Sequence, residues 1–314
     1  MASSDPGRSY RLARDEGLAA GLSRIAAGRA ESALERLRGG AAGEAASADA
    51  VHGARKDMKK LRTVLRLLRE ALGRKRFERE AARFRDAARA RSASRDAEVK
   101  LGTLEALVEQ AGDLPALAVD AWRRILARDR EAAANRADGE GALAAATSLI
   151  EAGRGEIRGW TLEGDSWQLI EDGLDRSYRR GRRALAIAEA SRREADFHEW
   201  RKRAKDLWYA LRLLSDAWPA PLEASAEEAH RLTELLGDHH DLALLRADLD
   251  ERNLGEAETA ALEAAIDRRQ RELAAAAIPL GRRLYAERPK DFSRRLRRYW
   301  RAWRSSESMV GKSA

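Results

Sequence analysis

The chain is 314 residues long and carries 60 Lys and Arg against 52 Asp and Glu, a formal charge of +8, with 36% of its residues charged and no cysteine. This composition excludes disulfide staples, thiol catalysis and thiolate metal sites, and no stretch approaches the ~20 apolar residues of a membrane span. The length suits one large domain or two ordinary ones, and the cationic excess favours an anionic partner: nucleic acid, acidic membrane or an inorganic polyanion.

Val, Ile, Thr and Phe are sparse, no period-two run persists, and Ala, Leu, Arg and Glu dominate. An all-α fold of about ten helices is therefore expected. The segment MASSDPGRSYRLARDEG has no apolar run of signal-peptide length, so a soluble cytoplasmic protein is the expectation. Residues 1–8 read as a disordered tail, and a helix is predicted from Ser9 to about Arg38, stopped by Gly39-Gly40. After a Gly/Ala/Ser loop, Ser47 or Asp49 is placed to cap a long helix that ends near Gly73. Helices follow at 75–93 and 95–111, and Pro115 opens another towards Asn135. Gly139-Glu140-Gly141 predicts a break, a short helix runs to Gly153, and 153–167 reads as irregular. Asp165 is placed to cap a helix reaching about residue 190. Further helices are predicted at about 194–216, 221–236, 238–252, 255–287 and 289–304, with Pro219, Pro221 and Pro289 at boundaries. Residues 305–314 read as a loose tail.

One pattern occurs twice in this series. VHGARKDMKKLRTVLRLLRE at 51–70 overlays FHEWRKRAKDLWYALRLLSD at 197–216 without a gap. His52 meets His198, Arg55 and Lys56 meet Arg201 and Lys202, Lys59 meets Lys205, and Arg66 meets Arg212. At the helical step of about 100° per residue, His52, Arg55, Lys56, Lys59, Thr63 and Arg66 share one stripe. Met58, Leu61, Val64, Leu65, Leu68 and Leu72 lie opposite. In the second copy His198, Arg201, Lys202, Lys205, Tyr209 and Arg212 form the stripe, opposite Trp200, Ala204, Leu207, Leu211 and Leu214. An ordinary outer face mixes both charge signs, which limits self-repulsion. These stripes hold no acid up to Arg66 and Arg212, so an anionic ligand is expected to compensate them.

The repeat extends further. RSASRDAEVKL at 91–101 parallels LGDHHDLALLR at 236–246, so that Arg95 matches His240 and Asp96 matches Asp241. YRRGRRAL at 178–185 echoes LGRRLYAE at 280–287, which adds Arg179, Arg183, Arg282 and Arg283 as candidate contacts. Two such halves, about 9–190 and 191–304, suggest tandem helical bundles related by a pseudo-twofold axis, with the basic stripes facing a shared groove. His239-His240-Asp241 invites a metal reading, but adjacent helical side chains diverge by about 100° and do not easily share one ion. No carboxylate cluster sits on the basic stripe, so no metal and no cofactor are expected. The eight Trp read as packing anchors rather than a base-stacking array, although Trp208 borders the stripe.

HEWRKRAKDLWYALRLL with AWP and LGDHHDLALL, VHGARKDMKKLRTVLRLLR, and the Trp160, Trp167 and SYRRGRRAL segment resemble the CHAD family, an α-helical family named for conserved histidines. The resemblance covers roughly 9–304. It implies one domain of two four-helix bundles, with extra short helices, internal pseudo-twofold symmetry and a basic groove or pore between them. It implies binding of inorganic polyphosphate, in some members at polyphosphate granules, and no catalytic residues. The family's positions carry over as His52, Arg55, Lys56, Lys59 and Arg66, with His198, Arg201, Lys202, Lys205 and Arg212. Arg62 and Tyr209 flank them, and Arg95 and His240 lie on the second element. Lys60 is replaced by Asp206 and Arg62 by Trp208 in the second copy, which predicts unequal halves. The ExExK motif of relatives with a triphosphate tunnel domain is missing, so triphosphatase activity is not carried over. The expected function is thus non-enzymatic polyphosphate binding. A nucleic-acid-binding helical protein is the alternative, although no sequence-specific nucleic-acid motif is seen, and a metal-dependent phosphate hydrolase is a weaker one. No membrane partner is expected, and oligomeric state leaves no signal.

Overall fold

The computed structural model describes residues 9–39, 48–89, 93–112, 114–135, 139–250 and 256–305. Among them the chain forms twelve α-helices and no strand: α1 (Leu18–Gly39), α2 (Ala48–Leu67), α3 (Arg69–Leu72), α4 (Arg74–Arg89), α5 (Ala93–Ala111), α6 (Ala116–Asn135), α7 (Gly139–Arg158), α8 (Gln168–Ser191), α9 (Glu194–Leu214), α10 (Pro219–Asp250), α11 (Glu256–Leu284) and α12 (Pro289–Ser305). The two motif helices are α2 and α9. Of the tails expected at 1–8 and 305–314, Ser305 is helical at the end of α12, and the rest, with the candidate cap Ser47, lies outside the described residues.

Several boundaries differ from expectation: the long helix expected to end near Gly73 stops at Leu67, with a turn at Leu68 before the short α3. The first helix begins at Leu18, not Ser9. Before it the chain bends around Glu16, whose carboxylate accepts from the Ala13 N–H at 2.6 Å and from Arg24 Nε at 2.8 Å. Asp165 does not cap α8: it accepts from the Ala19 N–H at 3.0 Å and so serves the start of α1, 146 residues away. The elements predicted at 221–236 and 238–252 are one continuous helix, α10. Gly237 does not break it, because the glycine is buried where the Arg201 guanidinium approaches. Finally, α7 runs through Gly153, which lies against the Phe84 ring, and the irregular stretch shrinks to 159–167.

The apolar sides of both motif helices are buried as their periodicity demands, from Met58 to Leu72 and from Trp200 to Leu214. Helix α2 packs on α1, α4 and α8, and α9 packs on α8 and α10. The buried apolar residues form two clusters. The larger joins α1, α2, α4, α7, α8 and α9 with the first half of α10, the end of α11 and α12. The smaller joins α5 and α6 with the second half of α10 and the first half of α11. Each cluster therefore draws on both repeats.

Candidate polyanion-binding surface

The two stripes fall where the helical phase puts them, beside the buried side. His52, Arg55, Lys59 and Arg66 on α2 are partly buried and Lys56 is exposed. On α9, His198, Arg201, Lys205 and Arg212 are partly buried and Lys202 is exposed. Thr63 and Tyr209, matched in the repeat, are the exceptions, at 2% and 4% exposure. They lie near the point where α2 and α9 pass each other. There Arg66 donates to Asp206 at 2.8 Å, and Lys60 lies in the field of Arg212. Later residues of α2 thus meet earlier residues of α9, and the helices run antiparallel. Lys60 is pulled down to about 8 by burial, with Arg29, Arg212 and Arg36 adding to the shift and Asp57 opposing it.

The contact between α9 and α10 gathers the most cations around histidine. The His198 and His240 rings lie 3.9 Å apart, tilted by 37°. Burial pushes His198 down to about 4, and Lys202 and Arg201 push the same way, against Glu199. His240 is pushed down to about 4 by burial, then by His198, Arg201, Lys202 and Lys205. Arg201 is also pulled down by burial, although Asp241 and Asp238 oppose this. His198 Nδ1 and Arg201 Nε are buried and make no hydrogen bond, and the same holds for one terminal nitrogen of Arg55 on α2. His198 and Arg201 thus each keep a buried nitrogen without a hydrogen-bond acceptor, beside Lys202, which pairs with Glu199 at 3.5 Å.

The neighbouring histidine has a different role. His239 is buried, stacks on Phe197 at 4.4 Å, and its carbonyl accepts from Gln270 Nε2 at 3.1 Å. Its ring faces the core while that of His240 faces the basic group, as the angular divergence of adjacent helical residues requires. Among the described residues no three His, Asp or Glu side chains come together in a metal-holding group.

Other predicted residues are placed apart from this group. Arg179 and Arg183 on α8 and Arg282 and Arg283 on α11 are exposed, and Arg282 pairs with Glu189. No described contact joins these four to His198 or His240. Arg95 lies on α5, with its side chain outside those described. Arg212 sits over the Trp208 ring at 5.6 Å, so the tryptophan borders the end of the stripe. Arg62 is partly buried beside Arg66.

Two neighbours of the stripes are not singled out by the repeat. Arg203 donates to Asp206 at 3.2 Å and to Glu199 at 2.8 Å. Arg180, rather than Arg179, faces Arg203, Asp206 and Arg66. The i,i+3 and i,i+4 spacing of Arg203 to Asp206 and Glu199 is a visible signal. The choice of Arg180 over Arg179 is not, because it depends on how α8 is rotated against α9.

A family model described as CHAD domain matches residues 28–250 of the chain. No curated protein matches it. No helix among the described residues is long and apolar enough to cross a membrane.

Proposed function

This chain belongs to the CHAD family, and on that premise we propose that it binds inorganic polyphosphate, or a similar linear polyanion, without catalysing a reaction. The observation that carries this reading is the paired His198 and His240 among Arg201, Lys202 and Lys205, with buried donors left unmatched. A phosphate chain supplies acceptors and negative charge and asks for no base-edge readout. Arg forks phosphate oxygens, Lys adds movable charge, and a phosphate beside His198 and His240 favours their protonated forms. His52, Arg55, Lys56 and Lys59 continue the site on α2.

The halves are read as pseudo-twofold partners. Lys60, in the field of Arg212, and Asp206, bonded to Arg66, exchange under the repeat register. The packed pairs α1 with α2, α2 with α4 and α5 with α6 recur as α8 with α9, α9 with α10 and α10 with α11. Both support two related bundles with a basic groove between them. From the axis at Thr63 and Tyr209, each motif histidine is 11 residues away (63 to 52, 209 to 198) in opposite directions. At 1.5 Å per residue that is roughly 16 Å on each side, a track for several consecutive phosphates. Targeting to polyphosphate granules is the cellular role that this binding suits.

Purified protein is expected to bind long-chain polyphosphate, with affinity falling steeply as salt rises. Charge reversal at Lys59 together with Lys205 is expected to reduce binding at least a hundredfold; a double variant that bound like wild type would refute the basic-track mechanism. Duplex DNA or RNA that displaced polyphosphate at equal phosphate concentration would favour the nucleic-acid reading instead. Phosphate release in the presence of Mg²⁺ or Mn²⁺ would refute the non-enzymatic one.

A further inference from the structure

Asp206 stands where the first repeat has Lys60. Both positions belong to an i,i+3 bridge, Asp57 with Lys60 on α2 and Arg203 with Asp206 on α9, and the order of the charges is reversed. The two acids face different partners. Asp57 is held from α1 within its own half, by Arg29 at 2.9 Å, Ser32 at 3.0 Å and Arg36 at 3.3 Å. Asp206, 5% exposed, reaches across to Arg66 of the other repeat at 2.8 Å.

Asp206 is outnumbered. Arg62 and Arg66 approach from α2, Arg180 from α8 and Arg203 from α9. Burial pulls Arg62 down to about 10, with Arg66, Arg85 and Arg203 adding and Asp206 opposing. Burial also pulls Arg180 down, helped by Arg203 and Arg66 against Asp206 and Glu199. The remaining charges nearby are already engaged: Arg85 on α4 pairs with Asp86 at 3.0 Å, and Glu199 serves Arg203 and Lys202. Tyr285, just past the end of α11, adds a buried hydroxyl without a hydrogen-bond partner, pushed up by burial and then by Asp206. Two guanidiniums bond Asp206 directly, Arg66 at 2.8 Å and Arg203 at 3.2 Å, while Arg62 and the exposed Arg180 lie in its field at the rim; a carboxylate is the side chain nearest to phosphate in its geometry with arginine.

We propose that Asp206 is a built-in anion that fills a phosphate place among Arg62, Arg66, Arg180 and Arg203, closing that cluster to polyphosphate and restricting binding to the stripes on either side of the helix crossing. Asp206 thereby sets which arginines a polyanion meets. Removing its charge opens one further oxyanion site. This rests on the polyanion-binding reading for its biological meaning, but not for its test.

The test is calorimetric titration with sodium tripolyphosphate of wild type and Asp206→Asn, together with thermal melts in the same ligand. Asp206→Asn is expected to gain one additional site and a larger ligand-dependent rise in Tm than wild type, because ligand that binds only the native state stabilises it. Equal stoichiometry and equal rise would overturn the proposal. If Asp206→Asn does not fold, Arg180→Gln decides: affinity within twofold of wild type supports a closed cluster, and a tenfold loss shows that the arginines already hold phosphate. Wild type that ignored tripolyphosphate while Asp206→Asn bound it would refute the proposed function and uphold this inference.

Discussion

His198 and His240 stand near 4 against an ordinary value of about 6.5. The folded chain therefore binds fewer protons than the unfolded chain through this interval. The stability that the pair contributes is fully present above about pH 6.5 and is lost as pH falls towards 4. Both side chains keep some solvent contact, so the effect is discounted to about 1 kcal/mol each, or roughly 2–4 °C in Tm. Melts between pH 7 and 5 are expected to show this decline, and His198→Gln with His240→Gln to flatten it. A bound polyphosphate opposes the field of Arg201, Lys202 and Lys205, so binding takes up protons. Affinity is expected to rise as pH falls from 7.5 to 5.5, by at most about tenfold per unit for each histidine. An affinity that stays flat with pH would show that both rings remain neutral beside the ligand.

Glycines on helices separate local from tertiary constraints. Ala is worth up to about 1 kcal/mol over Gly in an exposed helix interior. At Gly155 on α7 an added Cβ meets nothing within 4 Å, so Gly155→Ala is expected to stabilise by about 0.5–1 kcal/mol. At Gly173 on α8 the same atom would strike the Leu67 backbone of α2. Backbone cannot move aside as a side-chain tip does, so overpacking of about 1–3 kcal/mol outweighs the propensity gain. Gly173→Ala is expected to unfold at lower urea than wild type, and Gly155→Ala at higher. Equal midpoints would mean that α8 and α2 separate more easily than their contact implies. Trp200, fully buried on α9 and lying against Gly281 of α11, is the larger anchor. Trp200→Ala is expected to cost about 3–5 kcal/mol in chemical denaturation.

At the scale of the molecule, both apolar clusters cross the boundary between repeats. The smaller needs α5 and α6 from one half and α10 and α11 from the other, and Lys100 on α5 pairs with Asp248 on α10 at 2.5 Å. Neither half encloses its core alone. Residues 9–190 and 191–304 expressed separately are expected to lack a cooperative melt by circular dichroism, and to regain one when mixed. A native-like melt of either fragment would show that the halves are independent domains.

The all-α class, the two motif helices and the side of each that is buried were legible in the sequence, because helical periodicity is a property of neighbouring residues and needs no partner to be read. The basic stripes were legible for the same reason. Only the tertiary structure made Asp165 the cap of α1 and carried α10 unbroken through Gly237. It likewise chose Arg180 over Arg179, and brought Asp206 of one repeat to Arg66 of the other. Each depends on the rotation and closeness of helices distant in sequence, which the packing of whole side chains decides. A change of one residue turns a side chain by about 100°, so the local pattern leaves that choice open.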